Sequence, residues 1–282
     1  MTVEQIYRKT KDDLNKAGIE APAFEALCLI EKVFGYNRTA LIVHGDKTAT
    51  QEKVCEVEGY VQRRLSFEPL QYILGKWNFM GIDLFVGDGV LIPRDDTEIV
   101  TALCLDFLAN KKSAKVIDLC AGSGAISLAI EKFAKADVTA IELSEKAFPF
   151  LNKNIELNNS SINAVNADIF ECIGTFEDMS FDLIVSNPPY IKTEEIKTLQ
   201  AEVQKEPVMA LDGGKDGFDF YREIIPMWKS KLKSGGAMAF ELGENQYDEV
   251  AKILKLNGFT DISESLDLSG VQRAIIGTLS QK

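Results

Sequence analysis

Apolar residues recur at helical spacing through the first 74 residues of the 282-residue chain. Val3, Ile6 and Leu14 fall on one side of a helix, and Gly18 follows as a stop signal. Pro22 is a residue type suited to the first turn of a helix, and a third periodic run covers residues 50–65. These patterns predict a small helical domain over residues 1–74.

The pattern changes over residues 75–93. Two short β-like runs, at 79–86 and 90–92, flank a Gly87-Asp88-Gly89 turn signal, which predicts a β-hairpin linker. Beyond it, Asp95 and Glu98 have the spacing of a capping box, and a helix is expected over residues 99–108.

From residue 115 onward, short apolar runs alternate with amphipathic ones. This alternation predicts an α/β domain with a doubly wound, mainly parallel sheet over residues 94–282. Pro149 should kink the helix expected at 144–158 or delay its start. The last two strand-like runs have no helix between them and should pair antiparallel. Strands are predicted at 116–119, 138–141, 164–165, 181–185, 237–242, 260–263 and 274–279, and the remaining helices at 124–133, 217–232 and 247–256.

Composition narrows the classes of function. A net charge of -12 disfavours a protein that grips a phosphate backbone, so no direct nucleic-acid partner is expected. No apolar run reaches the length of a membrane span, and the N-terminus does not resemble a secretory signal. The five cysteines are scattered without a C-x-x-C pair, which argues against disulfides and zinc and favours the cytoplasm. The one histidine, His44, has no catalytic partner type nearby.

A glycine-bearing loop follows the first predicted strand of the α/β domain. Gly122 and Gly124 allow the backbone to approach a ligand closely and to turn sharply from strand into helix. Glu142 follows Asp118 by 24 residues, at the end of the next strand, where a carboxylate accepts from both hydroxyls of a ribose. The loop residues predicted to bind this ligand are Asp118, Cys120, Ala121, Gly122, Ser123 and Gly124.

Two features favour S-adenosylmethionine over a dinucleotide at this loop. The G-x-G-x-x-G fingerprint requires a third glycine, and this chain has Ser127 there. Asp118 suits the electropositive amino-acid part of S-adenosylmethionine better than a phosphate. Asp168 at the third strand end is positioned to accept from the adenine amine, with Ile169 against the ring. A tight turn without ligand is the alternative at this stage.

The strand at 181–185 ends in Asn187-Pro188-Pro189-Tyr190, the most specific motif of the chain. The Asn187 oxygen and the Pro188 carbonyl can accept hydrogen bonds from the two N–H groups of a planar amide. These bonds would hold the nitrogen in position for methyl transfer and stabilise positive charge on it. Tyr190 offers a flat face to a planar group. A Pro-Pro turn capped by Asn is the purely structural alternative.

Beyond the tetrapeptide, further motifs occur along nearly the whole chain: Arg63-Arg64, Glu68-Pro69-Leu70-Gln71-Tyr72-Ile73-Leu74-Gly75, Phe79, Leu91-Ile92-Pro93-Arg94, Thr97-Glu98, Glu206-Pro207, Ala210-Leu211, Gly214, Asp216-Gly217, Asp267-Leu268-Ser269-Gly270 and Arg273. Through these motifs and the tetrapeptide, the chain resembles the HemK/PrmC family of protein-(glutamine-N5) methyltransferases over nearly its whole length.

The resemblance implies a Rossmann-like, seven-stranded class I methyltransferase domain behind a helical domain and a hairpin. It implies transfer from S-adenosylmethionine, leaving S-adenosylhomocysteine, to the glutamine of the Gly-Gly-Gln loop of class 1 peptide chain release factors. It further implies that Phe79 and the Pro93-Arg94 loop help to close the substrate pocket. The chain departs from the family pattern at Cys120, where Gly is commoner, and at Asp95, where Pro is usual.

Three other functions are compatible with parts of the sequence: a glutamine methyltransferase of a ribosomal protein, a DNA adenine-N6 methyltransferase, and a binding protein without activity. The adenine enzyme would need base flipping and a basic recognition region. We expect a monomer without membrane association or bound metal, and a helical domain that grips the protein substrate.

Overall fold

The computed structural model describes residues 1–280, and the chain forms two compact units. The first unit comprises Met1–Lys76 together with Gln200–Lys205. The second comprises Trp77–Leu199 and the chain from Glu206 onward. The first unit therefore includes a short segment that lies far along the sequence from the helical domain expected at residues 1–74.

Among the described residues, the first unit contains five α-helices around an aliphatic core. Thr2 and Gln5 form a capping box at the start of the first helix, which satisfies two backbone N–H groups that would otherwise lack partners. Leu29 and Ile30 are completely buried at its centre. The helices are α1 Val3–Lys16, α2 Pro22–Phe34, α3 Arg38–His44, α4 Gln51–Leu65 and α5 Leu70–Leu74.

A buried arginine links α2, α4 and the distant segment of the first unit. The Arg64 side chain is 3% exposed, and its Nε and Nη2 donate to the two carboxylate oxygens of Glu25 at 2.6 and 3.1 Å. The same guanidinium forms an ion pair with Glu202. Its planar fork of donors suits such bidentate pairing with a carboxylate.

A two-stranded hairpin begins at the boundary of the two units. Its strands are β1 Lys76–Phe79 and β2 Ile82–Phe85, so the turn is Met80-Gly81 and the expected turn at 87–89 was wrong. Met80 and Gly81 both have positive φ, 48° and 72°, as a two-residue primed turn requires. The Asn78 side chain stabilises the turn by accepting from the Gly81 N–H and donating to Asp83.

Helix α6, Asp95–Leu108, starts earlier than expected and lacks the expected capping box. Its N-cap is Arg94, and Glu98 accepts a hydrogen bond from the Met80 backbone N–H at 3.1 Å instead. The Glu98 carboxylate, which was expected to take part in a capping box with Asp95, thus stabilises the hairpin turn.

The second unit contains a seven-stranded sheet in the order β5-β4-β3-β6-β7-β9-β8. Strands β3 to β7 pair in parallel, whereas β9 pairs antiparallel with both β7 and β8, so the expected terminal antiparallel pair is confirmed. The strands are β3 Lys115–Leu119, β4 Asp137–Glu142, β5 Asn163–Asn166, β6 Phe181–Ser186, β7 Leu232–Glu241, β8 Phe259–Leu266 and β9 Gln272–Leu279.

Helices cover both faces of this sheet. Pro149 delays the start of the helix after β4, which is one of the two expected outcomes. The helix expected at 217–232 contains Pro226 and ends earlier than expected, at Trp228. Leu232 instead begins β7 after a short 3-10 turn at Lys229–Lys231. The helices are α7 Ala125–Ala134, α8 Phe148–Leu157, α9 Asp219–Trp228 and α10 Tyr247–Leu256.

Over residues 1–280, no helix combines the length and apolar character needed to span a bilayer. Across the same residues, no cluster of three or more His, Cys, Asp or Glu side chains has an arrangement suited to a metal ion.

Candidate active site

A cavity of about 270 Å³ lies in the second unit, lined in part by residues at the carboxyl ends of parallel strands. This is the edge at which doubly wound sheets bind ligands. Ten of the residues expected at a cofactor or substrate site line it: Pro93, Cys120, Ala121, Gly122, Ser123, Glu142, Asp168, Ile169, Asn187 and Pro189. Six do not: Phe79, Arg94, Asp118, Gly124, Pro188 and Tyr190.

The loop after β3 has left-handed backbone at three positions. Cys120, Gly122 and Gly124 have φ values of 65°, 55° and 84°. A Cβ on Gly124 would lie 2.6 Å from Leu151 Cδ1, so this glycine lets α8 pack against the loop. Cys120 is a strained departure from glycine, since left-handed backbone costs an ordinary residue roughly 1–2 kcal/mol. Cysteine in place of the commoner glycine at position 120 therefore affects the backbone conformational energy as well as the packing.

Glu142 ties this loop to the end of β4. Its Oε2 accepts from the Gly122 N–H and its Oε1 from the Ser144 N–H, each at 2.7 Å. Burial raises the pKa of Glu142, and hydrogen bonds from the backbone N–H groups of Ser144 and Gly122 oppose that shift. Glu142 lines the cavity, and its carboxylate retains acceptor capacity, since a carboxylate can accept about four hydrogen bonds.

Asp118 lies beneath the loop rather than on the cavity. Its Oδ2 accepts from the Ser127 hydroxyl at 2.5 Å, and its Oδ1 is buried without a hydrogen-bond partner among the described residues. Burial raises the pKa of Asp118 to about 7, against the opposing effect of Ser127. The side chain is thus placed to support α7 and the loop backbone.

The loop after β5 supplies an apolar wall. Ile169 and Phe170 line the cavity beside Phe220 of α9, and the two phenyl rings lie 5.9 Å apart between centroids. Asp168 also lines the cavity, and its carboxylate accepts from the Phe170 N–H at 2.8 Å. The Trp228 indole donates to the Ile169 carbonyl at 3.1 Å and fixes the backbone of this wall.

Asn187 is the polar residue of the tetrapeptide that lines the cavity. It follows β6, and its Nδ2 donates to the Thr97 hydroxyl oxygen of α6 at 3.4 Å. Thr97 itself also lines the cavity. Ser186, at the end of β6, donates to the Leu119 carbonyl at 2.6 Å and holds the two strand ends together.

Tyr190 faces away from the cavity, although we expected it to offer its ring to a substrate. Its hydroxyl donates to Glu241 Oε1 at 3.1 Å, and its carbonyl accepts from Gln246 Nε2 at 3.0 Å. A Cβ on Gly213 would lie 2.6 Å from Tyr190 Cα, so only glycine fits there without a backbone shift. Burial and the Glu241 carboxylate raise the pKa of Tyr190 well above its ordinary value.

Sequence reasoning assigned no role at the site to Glu241, Gln246, Thr97 or Gly213, although Thr97 belongs to one of the shared motifs. A carboxylate at the end of an otherwise apolar strand, as in Ala237–Glu241, was the available signal. Burying such a group is costly unless it has polar partners, which its sequence position alone did not identify.

The predicted Pro93-Arg94 loop is held in place by Glu206. Glu206 accepts from the Ile92 N–H at 2.9 Å and forms an ion pair with Arg94. Pro93 and Pro207 both line the cavity, so this ion pair fixes two parts of its wall. Phe79, in contrast, packs in the hydrophobic core at 2% exposure.

The charge of the cavity discriminates between classes of ligand. Among the described residues that line it, Glu142 and Asp168 are the charged side chains, and none is Lys, Arg or His. A pyrophosphate would lack a cationic partner there, whereas a ligand with positive charge and ribose-like hydroxyls meets complementary groups.

Comparison with known proteins agrees with these features. Residues 5–75 match the PrmC N-terminal domain family, and residues 87–215 match the methyltransferase small domain family. The release factor glutamine methyltransferase of Geobacter sulfurreducens is 38% identical over 280 residues, covering 99% of this chain and 97% of that protein. The protein of the same name from Clostridium acetobutylicum is 35% identical over 280 residues, covering 98% of each.

A solved structure shares the fold. The methyltransferase from Pyrococcus furiosus matches with a TM-score of 0.54 and 20% identity, covering 72% of this chain and 91% of that chain. At that identity the likeness supports the fold alone.

Proposed function

The chain belongs to the family of release factor glutamine methyltransferases, and on that premise we propose that it methylates the glutamine of the Gly-Gly-Gln loop of class 1 peptide chain release factors. The acceptor would be the side-chain amide nitrogen, N5. The observation that carries the proposal is the placement of Asn187 on the wall of a cavity that also presents Glu142 and the glycine loop.

The cofactor we propose is S-adenosylmethionine, and the cavity fits it on three counts. Within the described part of the chain, the lining has carboxylates and no cationic side chain. An added Cβ at Gly122 meets no atom within 4 Å, so the glycine leaves open space beside the loop. Glu142 would hold the ribose, and Asp168 with Ile169 the adenine. When bound, this cofactor supplies an electrophilic methyl group and leaves as S-adenosylhomocysteine.

The residues of the tetrapeptide would prepare the amide for that transfer. An amide nitrogen is a weak nucleophile, because its lone pair is delocalised into the carbonyl. We propose that Asn187 Oδ1 accepts from one of its N–H groups, fixing its position and stabilising the charge that develops on it. The Pro188 carbonyl, the acceptor expected for the second N–H, belongs to a residue that does not line the cavity in this structure. One N–H proton is lost to solvent once the new N–C bond has formed, so no strong base is required beforehand.

The proposal is tested by transfer of a labelled methyl group from S-adenosylmethionine to a purified class 1 release factor. The parallel substrates are the same factor with Gln→Ala in its Gly-Gly-Gln loop, ribosomal proteins and duplex DNA. We expect label on the intact factor alone. Label on a ribosomal protein or on DNA, with none on the release factor, would transfer the assignment to one of those substrates.

Glu142→Gln should weaken binding of S-adenosylmethionine by about 10- to 100-fold, since hydrogen bonds to a charged group contribute roughly 1.5–3 kcal/mol. The variant weakens both the proposed ribose contact and the bonds that hold Gly122 and Ser144. Calorimetric titration measures the Kd. Glu145→Gln, an exposed neighbour, is the matched control and should bind as the wild type does. An unchanged Kd for Glu142→Gln would show that the ribose binds elsewhere.

A further inference from the structure

Glu241 is a buried carboxylate immediately behind the wall that carries Asn187. It ends β7, whose preceding four residues are apolar and completely buried, and it is itself 1% exposed. Its Oε1 accepts from the Tyr190 hydroxyl, while its Oε2 is buried without a hydrogen-bond partner among the described residues. A buried carboxylate with one unsatisfied oxygen destabilises the fold, and groups of this kind are expected mainly at functional sites.

The surroundings of Glu241 connect it with Asn187. The Tyr190 hydroxyl donates to its carboxyl group, and the side chains of Thr97 and Asn187 also lie close enough to lower the pKa of that group. Thr97 and Asn187 line the cavity, but Glu241 and Tyr190 do not. Glu241 therefore cannot reach a ligand in the cavity directly, and its influence passes through these neighbours.

The orientation of the Asn187 amide decides what it can do. Rotation by 180° about its terminal bond exchanges the carbonyl oxygen and the NH₂ group, and the two orientations have nearly the same shape. An oxygen directed into the cavity accepts from a substrate N–H, whereas an NH₂ group there would repel it. An ionised carboxylate behind Asn187 selects the first orientation, because it can only accept and so attracts the NH₂ group and repels the oxygen, whereas a hydroxyl there can bind either.

We propose that Glu241 and Thr97 form a positioning pair that holds the NH₂ group of Asn187 away from the cavity, so that Asn187 Oδ1 faces the substrate amide. Thr97 supplies the direct acceptor, through the 3.4 Å bond from Asn187 Nδ2. Glu241 supplies negative charge on the same side and fixes Tyr190, three residues further along the motif. This inference rests on the proposed function of the site.

The pair should respond to pH. Burial raises the pKa of Glu241 to about 7 and Asp96 of α6 adds to the shift, whereas Thr97, Tyr190 and Asn187 oppose it. The Tyr221 hydroxyl of α9 donates to the Glu241 backbone carbonyl. The positive charge of Arg273 in β9 lowers the pKa of Tyr190. As pH rises through about 7, Glu241 loses its proton and becomes purely an acceptor, so the productive orientation of Asn187 should gain population.

Steady-state kinetics of Glu241→Gln, Thr97→Val and Thr97→Ser test the proposal. We expect Glu241→Gln and Thr97→Val to lower kcat by about 10- to 100-fold, with the Kd for S-adenosylmethionine within about twofold of wild type. Thr97→Ser, which keeps the hydroxyl, should recover most of the loss. The inflection of kcat near pH 7 should disappear in Glu241→Gln. The control Glu244→Gln lies exposed in the following turn and should match the wild type.

Wild-type kcat in Glu241→Gln, or an equal loss in Thr97→Ser and Thr97→Val, would overturn the positioning pair. The side-chain NH₂ resonances of Asn187 provide a readout that needs no substrate: they should shift through pH 7 in the wild type and not in Glu241→Gln. An inactive wild type with this titration present would count against the proposed function alone. Absence of the titration in the wild type would count against the pair.

Discussion

Asn187→Ala should lower kcat for methyl transfer by about 100- to 1,000-fold, the range seen when one preorganised polar group is removed from a transition-state site. Asn187 is the tetrapeptide residue whose polar side chain lines the cavity. Its loss removes the side-chain acceptor proposed for the substrate amide, and the developing positive charge on nitrogen loses the partner that stabilises it.

The effect should fall on kcat rather than on cofactor binding. The contacts of Glu142 with Gly122 and Ser144 do not involve Asn187, so the Kd for S-adenosylmethionine should change by less than about threefold. Single-turnover transfer to the release factor and calorimetric titration of the cofactor measure the two quantities separately.

Asn152→Ala is the matched control, since Asn152 is exposed on α8 and donates locally to the Phe148 carbonyl. It should retain wild-type kcat. Retention of transfer in Asn187→Ala would place the amide-binding group elsewhere and remove the main support for the proposed mechanism.

Arg64→Ala should destabilise the first unit by about 3 kcal/mol or more, because it leaves a buried carboxylate without its cation. The Glu25 side chain is 11% exposed and has both carboxylate oxygens bound to Arg64, so water replaces the lost partner poorly. Glu202 loses its ion pair in the same variant. Hydrogen exchange of amides in α2 and α4 should accelerate by about 100-fold.

Arg63→Ala is a stringent comparison, because it removes the same side-chain type one position earlier in α4. Arg63 is 44% exposed and pairs with Glu68 near the surface, where such pairs contribute about 1 kcal/mol or less. Equal acceleration of exchange in the two variants would mean that the buried ion pairs of Arg64 stabilise this unit no more than the exposed pair of Arg63 does.

The alternation of apolar runs was sufficient to predict the order of strands and helices in the second unit. Most of the parallel strands have a short, mainly apolar and buried centre, so local pattern and tertiary burial agree. The hairpin turn was predicted wrongly, because Gly87-Asp88-Gly89 is the stronger local turn signal. Gly87 and Gly89 are instead needed for close packing, since a Cβ would come within 2.8 Å of Phe150 and 2.6 Å of Lys146.

Residues of the cavity wall could be predicted where a residue type and a strand end coincide, as at Glu142 and Asn187. The neighbours behind that wall were missed, because they come from distant segments. Thr97 and Glu241 are 144 positions apart, and neither carries a local pattern that marks it as a neighbour of Asn187. Tyr190 was assigned a stacking role from its type alone, whereas the buried carboxylate of Glu241 binds its hydroxyl.

Two separate stretches of the gene encode the first unit, because this unit includes the segment Gln200–Lys205. The chain leaves the tetrapeptide at Ile191, contributes this segment to the first unit, and returns at Gly213, whose N–H donates to the Ile191 carbonyl at 2.7 Å. Recombination that exchanges residues 1–76 between relatives would separate Glu25 and Arg64 from a matched residue at 202. We therefore expect these three positions to covary among relatives, and a functional chimera to require both segments from one parent.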